Sequence, residues 1–271
     1  MVQGDKAYYD ELPRKHETII DIHHHYNPKI KNFLTYLLEN MNKAGISKVC
    51  LFTSGPNYKD QEAEDWKTIF RDYSDRIIGF GTINPGIHKP EIIDQYYSKG
   101  FKGIKVLNPT KPYDSNDFLK YYQKAEDLDM PILFHTGVIA RQKLEEPMDQ
   151  SSNRMRPVTL DRIARLFPKL KIIAAHMGDP WFSEAYMVSQ KNPNMWLDIS
   201  GKGIWLKALA IRKHLWIRLR PEKLLFGTDE PPSEFLRLYH FWDTFFYEIG
   251  VTYTMRKKIF GETAEKILGL K

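Results

Sequence analysis

The sequence has little cysteine and no long apolar run, and each absence excludes a class of protein. Cys50 is the only cysteine among 271 residues, so an intramolecular disulfide and a disulfide-stapled fold are excluded. No window approaches the roughly 18 to 20 consecutive apolar residues of a membrane-spanning helix. The N-terminal stretch MVQGDKAYYDELPRKHE lacks the apolar core of a signal peptide. We therefore expect a cytoplasmic protein without a membrane partner.

The sequence also lacks blocks of like charge. It has 40 basic and 34 acidic residues, for a formal net charge of +6. These residues are interspersed, with no run of five or six like charges and no nucleic-acid motif, so we expect no nucleic-acid partner. The small positive excess is compatible with an anionic small-molecule substrate, and solvated helix faces explain it equally well.

What the sequence does have is a regular alternation of apolar, β-branched runs with amphipathic segments of helical spacing. This alternation predicts parallel strands joined by right-handed helical crossovers, and eight units in this length fit a closed (β/α)₈ TIM barrel. A doubly wound open sheet is the alternative. We expect one domain over residues 1–271, ending in a C-terminal helical extension. The predicted strands are 18–23, 48–53, 77–83, 103–107, 131–136, 171–176, 195–200 and 224–229.

The stretch IIDIHHHYNP at the first strand carries three consecutive histidines. Strand alternation places Asp21, His23 and His25 on one face and His24 on the other. The imidazoles of His23 and His25 are then about 7 Å apart along the strand and can converge on one ion. Asp21 is a candidate to orient one of these rings from behind.

Further histidines and an aspartate end other predicted strands. His135 ends the fifth strand, His176 the sixth and Asp229 the eighth, and barrel enzymes place their catalytic residues at these carboxyl ends. A lone histidine at a strand end is often structural, and an aspartate there can shape a turn or cap a helix. Together with the first-strand pair, however, they form a set of nitrogen and oxygen ligands typical of a metal site.

Seven segments in order carry a family resemblance. The sequence resembles the amidohydrolase superfamily, and within it the amidohydrolase-2 branch related to aminocarboxymuconate semialdehyde decarboxylase. The resemblance extends from residue 18 to 270 and implies a distorted TIM barrel with a divalent metal at its C-terminal mouth. The segments are DIHHH, GIKVLNP, LFHTG, FPKLKIIAAHMG, NMWLDIS, LLFGTDEPP and IFGETAEKILGL.

By position, the resemblance implies that His23, His25, His135 and Asp229 bind the metal. His176 matches a histidine that acts as an acid or base in members with one metal and binds a second metal in members with two. We expect one ion, with zinc as the first choice and manganese or iron as alternatives.

Lys105 in GIKVLNP matches the strand-four position where members with two metals often carry a carboxylated, bridging lysine. We expect it instead to contact a substrate anion or to support the ligands. Two residues depart from the usual branch pattern: Asn108 replaces a frequent histidine, and Glu230 adds a charge beside Asp229. Both departures make it unsafe to transfer a substrate from a relative.

The ligand set is compatible with metal-dependent hydrolysis, which is our first hypothesis. Catalytic zinc lowers the pKa of its bound water to about 7; Asp229 can take the proton of that water, and His176 can polarise a carbonyl or protonate the leaving group. A small carboxylate-bearing ester, lactone or amide suits this arrangement. The same groups can decarboxylate an aromatic or enoic acid. A non-catalytic metal-binding barrel is the third alternative.

Candidate substrate-binding residues lie on other predicted barrel loops. Arg154 and Arg156 can clamp a carboxylate, unless they only form loop salt bridges. Trp181 can line the pocket or simply pack at the start of a helix. Lys202 is a further candidate and lies just past the seventh predicted strand. The predicted loop 136–156 is either functional or an insertion. Because members of the superfamily often associate, we also expect a homodimer.

Overall fold

The computed structural model describes residues 16–55, 58–59, 61–139, 149–217 and 220–270. Its eight parallel strands form one sheet in sequence order. They are β1 (Ile20–His25), β2 (Lys48–Phe52), β3 (Ile77–Ile83), β4 (Gly103–Val106), β5 (Ile132–Phe134), β6 (Ile172–Ala174), β7 (Met195–Asp198) and β8 (Leu224–Leu225).

The chain after β8 returns to β1 and closes the ring. The backbone N–H of Ile22 donates to the carbonyl of Phe226 at 3.0 Å, and the N–H of Asp229 donates to the carbonyl of His23 at 2.8 Å. Every neighbouring strand pair is parallel and consecutive, with helices in the crossovers. The structure is therefore the predicted (β/α)₈ barrel, and the open-sheet alternative is wrong.

The helices cover the outside of the barrel. The first of them ends before Gly45, which adopts a left-handed conformation (φ 72°) that its lack of a Cβ permits. The helices are α1 (Phe33–Ala44), α2 (Gln61–Asp72), α3 (Ile92–Ser98), α4 (Leu119–Asp127), α5 (Thr159–Leu166), α6 (Phe182–Lys191), α7 (Ile204–Ile217), α8 (Phe235–Glu248), α9 (Tyr253–Lys257) and α10 (Thr263–Leu268), with a π-helical turn at Lys258–Glu262 between the last two. Among the described residues, none of these helices has the length and apolar character needed to cross a membrane.

Two apolar clusters fill the barrel. The outer one lies between strands and helices, and the inner one occupies the barrel itself. Ala264 and Ile267 of α10 pack into the inner cluster with Ile20, Cys50 and other strand residues. Since Ile20 is the first residue of β1, α10 covers the amino-terminal end of the barrel. The carboxyl-terminal end is where the polar strand-end residues meet.

The last four strands are shorter than predicted. Strands β5 to β8 end two to four residues before the expected positions. Two of the polar residues that follow them, His176 and Asp229, have left-handed backbones with φ of 57° and 51°. A residue in this conformation cannot continue an extended strand, so these polar residues begin the loops instead.

Candidate metal centre and active site

A β-bulge in β1 sets the directions of the first-strand histidines. Asp21 pairs with Val49 and His24 with Leu51, so three steps along β1 match two along β2. The extra residue shifts the alternation, and Asp21 and His23 no longer share a face. His24 points outward as expected, against Phe33 and Phe235.

The predicted role of Asp21 is therefore wrong. Its carboxylate accepts the backbone N–H of His23 at 3.0 Å and, from Thr228, the backbone N–H at 3.0 Å and the hydroxyl at 2.6 Å. It contacts no imidazole in these hydrogen bonds. Asp21 instead joins β1 to the loop after β8 at the seam of the barrel, and burial raises its pKa to about 7.

The carboxylate of Asp229 lies among three imidazoles at the mouth. Its Oδ1 is 3.5 Å from Nε2 of His23 and 3.5 Å from Nε2 of His25, and its Oδ2 is 3.7 Å from Nε2 of His176. Ligand atoms bound tetrahedrally at about 2.0 to 2.2 Å lie roughly 3.4 Å apart. The spacing of His23, His25 and Asp229 thus fits one shared divalent ion. In the described part of the chain, these three form one of two groups compact enough to hold a metal.

His135 lies close to these residues, in the loop after β5. Its ring centroid lies 5.0 Å from that of His176, and a backbone hydrogen bond joins it to Val138. Its Nε2 is buried and has no hydrogen-bond partner among the described residues. Burial lowers the pKa of His135 to about 3, so the ring is neutral. A buried, neutral and unpartnered imidazole nitrogen is the kind of donor that a metal ion satisfies.

Lys105 on β4 lies directly beside this set. Its Nζ is 3.2 Å from Nε2 of His23 and lies over the ring of Phe52, 5.2 Å from the centroid. The side chain is fully buried. Burial lowers the pKa of Lys105, while the negative charges of Asp229 and Asp198 act in the opposite direction. Of the five proposed substrate-binding residues, Lys105 is the one that the described contacts bring to the histidines.

The other four candidates have different neighbours in the described part of the chain. Arg156 pairs with Glu184 and stacks over Trp181, 5.0 Å from the ring centroid. Arg154 donates to Asp149 at 2.8 Å, and Lys202 is exposed. The arginine contacts are the loop salt bridges considered as the alternative. Part of the predicted loop 136–156, residues 140–148, lies outside the described residues.

Two residues of the site were missed by the sequence reasoning: Asp198, which ends β7, and Ser200 just after it. Asp198 Oδ2 is 2.7 Å from Nδ1 of His23, and Ser200 Oγ is 3.0 Å from Nδ1 of both His23 and His176. The stretch NMWLDIS did carry a signal for Asp198. An acidic residue follows an apolar run there, just as histidines follow the apolar runs of other strands.

The electrostatics of the site favour proton acceptors. Burial is the main cause that lowers the pKa of His176, with the neighbouring His23 and His135 adding to the effect. Burial also raises the pKa of Asp229, while Lys105 opposes that change. The site therefore combines neutral imidazoles with a carboxylate that is more basic than an exposed one.

Comparison with known proteins agrees with this geometry. The amidohydrolase family model matches residues 20–270, whereas no curated protein matches the chain. An uncharacterised TIM-barrel protein from Bordetella bronchiseptica is 19% identical, with a TM-score of 0.68 over 93% of this chain and 98% of its own.

Two further solved structures have different chemistry in their names. A probable 2-pyrone-4,6-dicarboxylic acid hydrolase from Acinetobacter baumannii, with citric acid bound, is 15% identical with a TM-score of 0.64 over 93% of this chain and 99% of its own. A dihydroxybenzoic acid decarboxylase from Polaromonas, with manganese and 2-nitroresorcinol bound, is 17% identical with a TM-score of 0.65 over 93% and 97%. These likenesses establish the fold, and the family match covers nearly the whole chain. The chain therefore belongs to the metal-dependent amidohydrolase family, in its amidohydrolase-2 branch.

Proposed function

We propose that this protein is a metal-dependent hydrolase of a small, carboxylate-bearing ester, lactone or amide. The observation that carries the proposal is the position of the Asp229 carboxylate, between 3.5 and 3.7 Å from the Nε2 atoms of three histidines. A carboxylate so placed can share an ion with two of the rings and exchange a proton with the third.

The proposed metal ligands are His23, His25, His135 and Asp229. The spacing of three of these groups and the unpartnered Nε2 of His135 support the assignment. A divalent ion bound there, with zinc as first choice and manganese or iron as alternatives, supplies Lewis-acid polarisation of the substrate carbonyl and acidifies a water.

The proposed proton path uses Asp229 and His176. Oδ1 of Asp229 faces His23 and His25, so the carboxylate is placed to accept the proton of the attacking water. Nε2 of His176 lies 3.7 Å from the other carboxylate oxygen. His176 can therefore receive that proton and pass it to the oxygen or nitrogen that leaves the acyl carbon.

The substrate's own carboxylate is proposed to meet a cation near the mouth. Lys105 is the strongest candidate, because it is buried beside His23 and forms no ion pair in the described part of the chain. The outer part of the substrate is proposed to contact Arg154, Arg156 and Lys202, with Trp181 lining the pocket. A homodimer also stays a prediction.

A decarboxylase is the second candidate function. Lys105 also favours it, since a buried ammonium beside the ligand set can hold a carboxylate while the carbon that bears it is protonated. The fold likeness to the dihydroxybenzoic acid decarboxylase makes hydroxybenzoates a natural first test.

Product analysis separates the two candidates. The metal-loaded protein is incubated with two panels, one of small lactones, esters and amides that carry a carboxylate and one of hydroxybenzoic and enoic acids. Hydrolysis consumes water and releases no carbon dioxide, whereas decarboxylation releases one carbon dioxide per turnover. We expect turnover of the first panel that a chelator abolishes and added metal restores. Turnover that survives complete metal removal contradicts both candidates.

A further inference from the structure

The carboxyl end of β7 lies behind two imidazoles of the site. Asp198 is fully buried, and its Oδ2 is 2.7 Å from Nδ1 of His23. Its Oδ1 accepts the backbone N–H of His176 at 3.1 Å and that of Ser200 at 2.8 Å. One carboxylate thus holds the ring of a proposed ligand and the backbone of the proposed proton carrier.

Ser200 contacts the same two rings. Its hydroxyl oxygen is 3.0 Å from Nδ1 of His23 and 3.0 Å from Nδ1 of His176. Its carbonyl oxygen is 3.2 Å from Nδ1 of His176. A carbonyl can only accept a hydrogen bond, so the short contact favours a proton on Nδ1 of His176.

Nδ1 of His23 also faces an acceptor. Oδ1 of Asp198 accepts two backbone N–H groups, and Oδ2 of the same carboxylate lies 2.7 Å from Nδ1 of His23. A carboxylate accepts hydrogen bonds, so this contact favours a proton on Nδ1 of His23. In a neutral ring with Nδ1 protonated, Nε2 carries the lone pair. Both Nε2 atoms face Asp229.

We propose that Asp198 and Ser200 are positioning residues that fix the Nδ1–H tautomer of His23 and His176, so that both rings present the Nε2 lone pair to the mouth. This gives His23 the form that binds a metal and His176 the form that accepts a proton. Only this catalytic consequence rests on the proposed function; the tautomers themselves do not.

Gly201 strengthens the inference, because the turn after Ser200 lies against the ring of His176. Gly201 has φ 81°, and a Cβ there would lie 2.8 Å from Nδ1 of His176 and 3.7 Å from Oδ2 of Asp229. The turn thus leaves no space for the ring to rotate towards β7.

Nitrogen NMR of the metal-free, full-length protein tests the tautomers directly. With ¹⁵N-labelled histidine, long-range correlations distinguish the two neutral forms, and the His23→Gln and His176→Gln variants assign the signals. We expect protonated Nδ1 on both rings in the wild-type protein. A protonated Nε2 on His23 would overturn the proposal, whether or not any substrate is turned over.

Metal affinity gives a second readout. Asp198→Asn keeps the shape of the side chain but replaces one acceptor by a donor, so we expect zinc affinity to fall about 10- to 100-fold in folded protein. The matched control is Asp21→Asn, because that buried carboxylate binds a backbone N–H and Thr228 but no ring; it should leave the His23 tautomer unchanged. Equal zinc affinity in folded Asp198→Asn and wild-type protein would contradict the proposal. If Asp198→Asn fails to fold, the wild-type spectrum alone decides.

The experiments distinguish a failure of the proposed function from a failure of the positioning role. If the tautomers and zinc affinities are as expected but no substrate of either panel reacts, the proposed function fails and the positioning role stands. If the substrates react but His23 carries its proton on Nε2, the positioning role fails and the function stands.

Discussion

Replacing His24 by phenylalanine should stabilise the protein, and more strongly at acidic pH. The His24 ring is buried, stacks on Phe33 at a centroid distance of 6.1 Å and meets Phe235 edge-on at 5.0 Å. Neither ring nitrogen has a hydrogen-bond partner among the described residues. An unsatisfied buried polar group costs about 1 to 3 kcal/mol. The larger phenylalanine ring offsets part of the gain from removing the imidazole. We therefore expect His24→Phe to raise the free energy of unfolding by about 1 kcal/mol at pH 7.5.

The pH dependence follows from the pKa of His24. In the unfolded chain a histidine has a pKa of about 6.5, whereas burial lowers the pKa of His24 to about 3 in the folded chain. Between these two pH values only the unfolded chain binds the proton. Protonation of His24 therefore leaves the free energy of unfolding of the wild-type protein unchanged above the unfolded pKa and decreases it as the pH falls below that value. At pH 5.5 the loss is about 1.4 kcal/mol, against about 0.1 kcal/mol at pH 7.5.

Urea unfolding of wild-type protein and His24→Phe at both pH values measures this difference. The histidines that lie far from residue 24 are present in both proteins, so their titration cancels in the comparison. The advantage of the variant should grow from about 1 kcal/mol at pH 7.5 to about 2 kcal/mol at pH 5.5. The control is His240→Leu, whose imidazole is exposed and should give the same difference at both pH values. An advantage of His24→Phe that does not change with pH would mean that burial does not keep the His24 ring neutral in the folded protein.

Three further variants test other parts of the structure. His176→Asn should keep the metal, since the other four proposed groups hold it, but lower kcat/KM by about 100- to 10,000-fold, the usual contribution of general acid–base catalysis; loss of the metal would place His176 among the ligands. Gly201→Ala puts a Cβ 2.8 Å from Nδ1 of His176, and the displaced ring should cost about 100-fold in kcat, whereas unchanged kinetics would mean that the turn moves freely. Asp243→Asn breaks a buried ion cluster, because Asp243 lies 3.0 Å from both His16 and Arg256; chemical denaturation should show a loss of about 3 to 5 kcal/mol, and a loss below about 1 kcal/mol would contradict the packing.

The fold was predictable because hydrophobic periodicity and strand count are properties of the sequence. Strand β3 was predicted to the residue at Ile77–Ile83. The ends of β6 and β8 were not predictable from periodicity. The left-handed backbones of His176 and Asp229 depend on contacts with β7 and β1 that lie far away in the sequence.

The candidate site was predictable only as far as strand ends reveal it. The rule that barrel enzymes use these ends points to His23, His135, His176 and Asp229, which lie near one another in the structure. Strict alternation along β1 misplaced Asp21, because it cannot detect the inserted residue of a β-bulge. The contact between Asp198 and His23 spans 175 residues, and no local pattern encodes such a distance.

The proposed metal centre holds one catalytic ion, bound by His23, His25, His135 and Asp229. Its most direct test is a zinc titration of chelator-treated wild-type protein, His25→Ala and the control His240→Ala, with bound metal counted after gel filtration. His25 is suited to this test because its side chain is 41% exposed, so its removal should spare the fold. We predict about one equivalent of zinc in the wild-type and control proteins, and at least about a 10-fold lower affinity in His25→Ala. Less than half an equivalent in saturated wild-type protein, or an unchanged affinity in His25→Ala, would contradict the account.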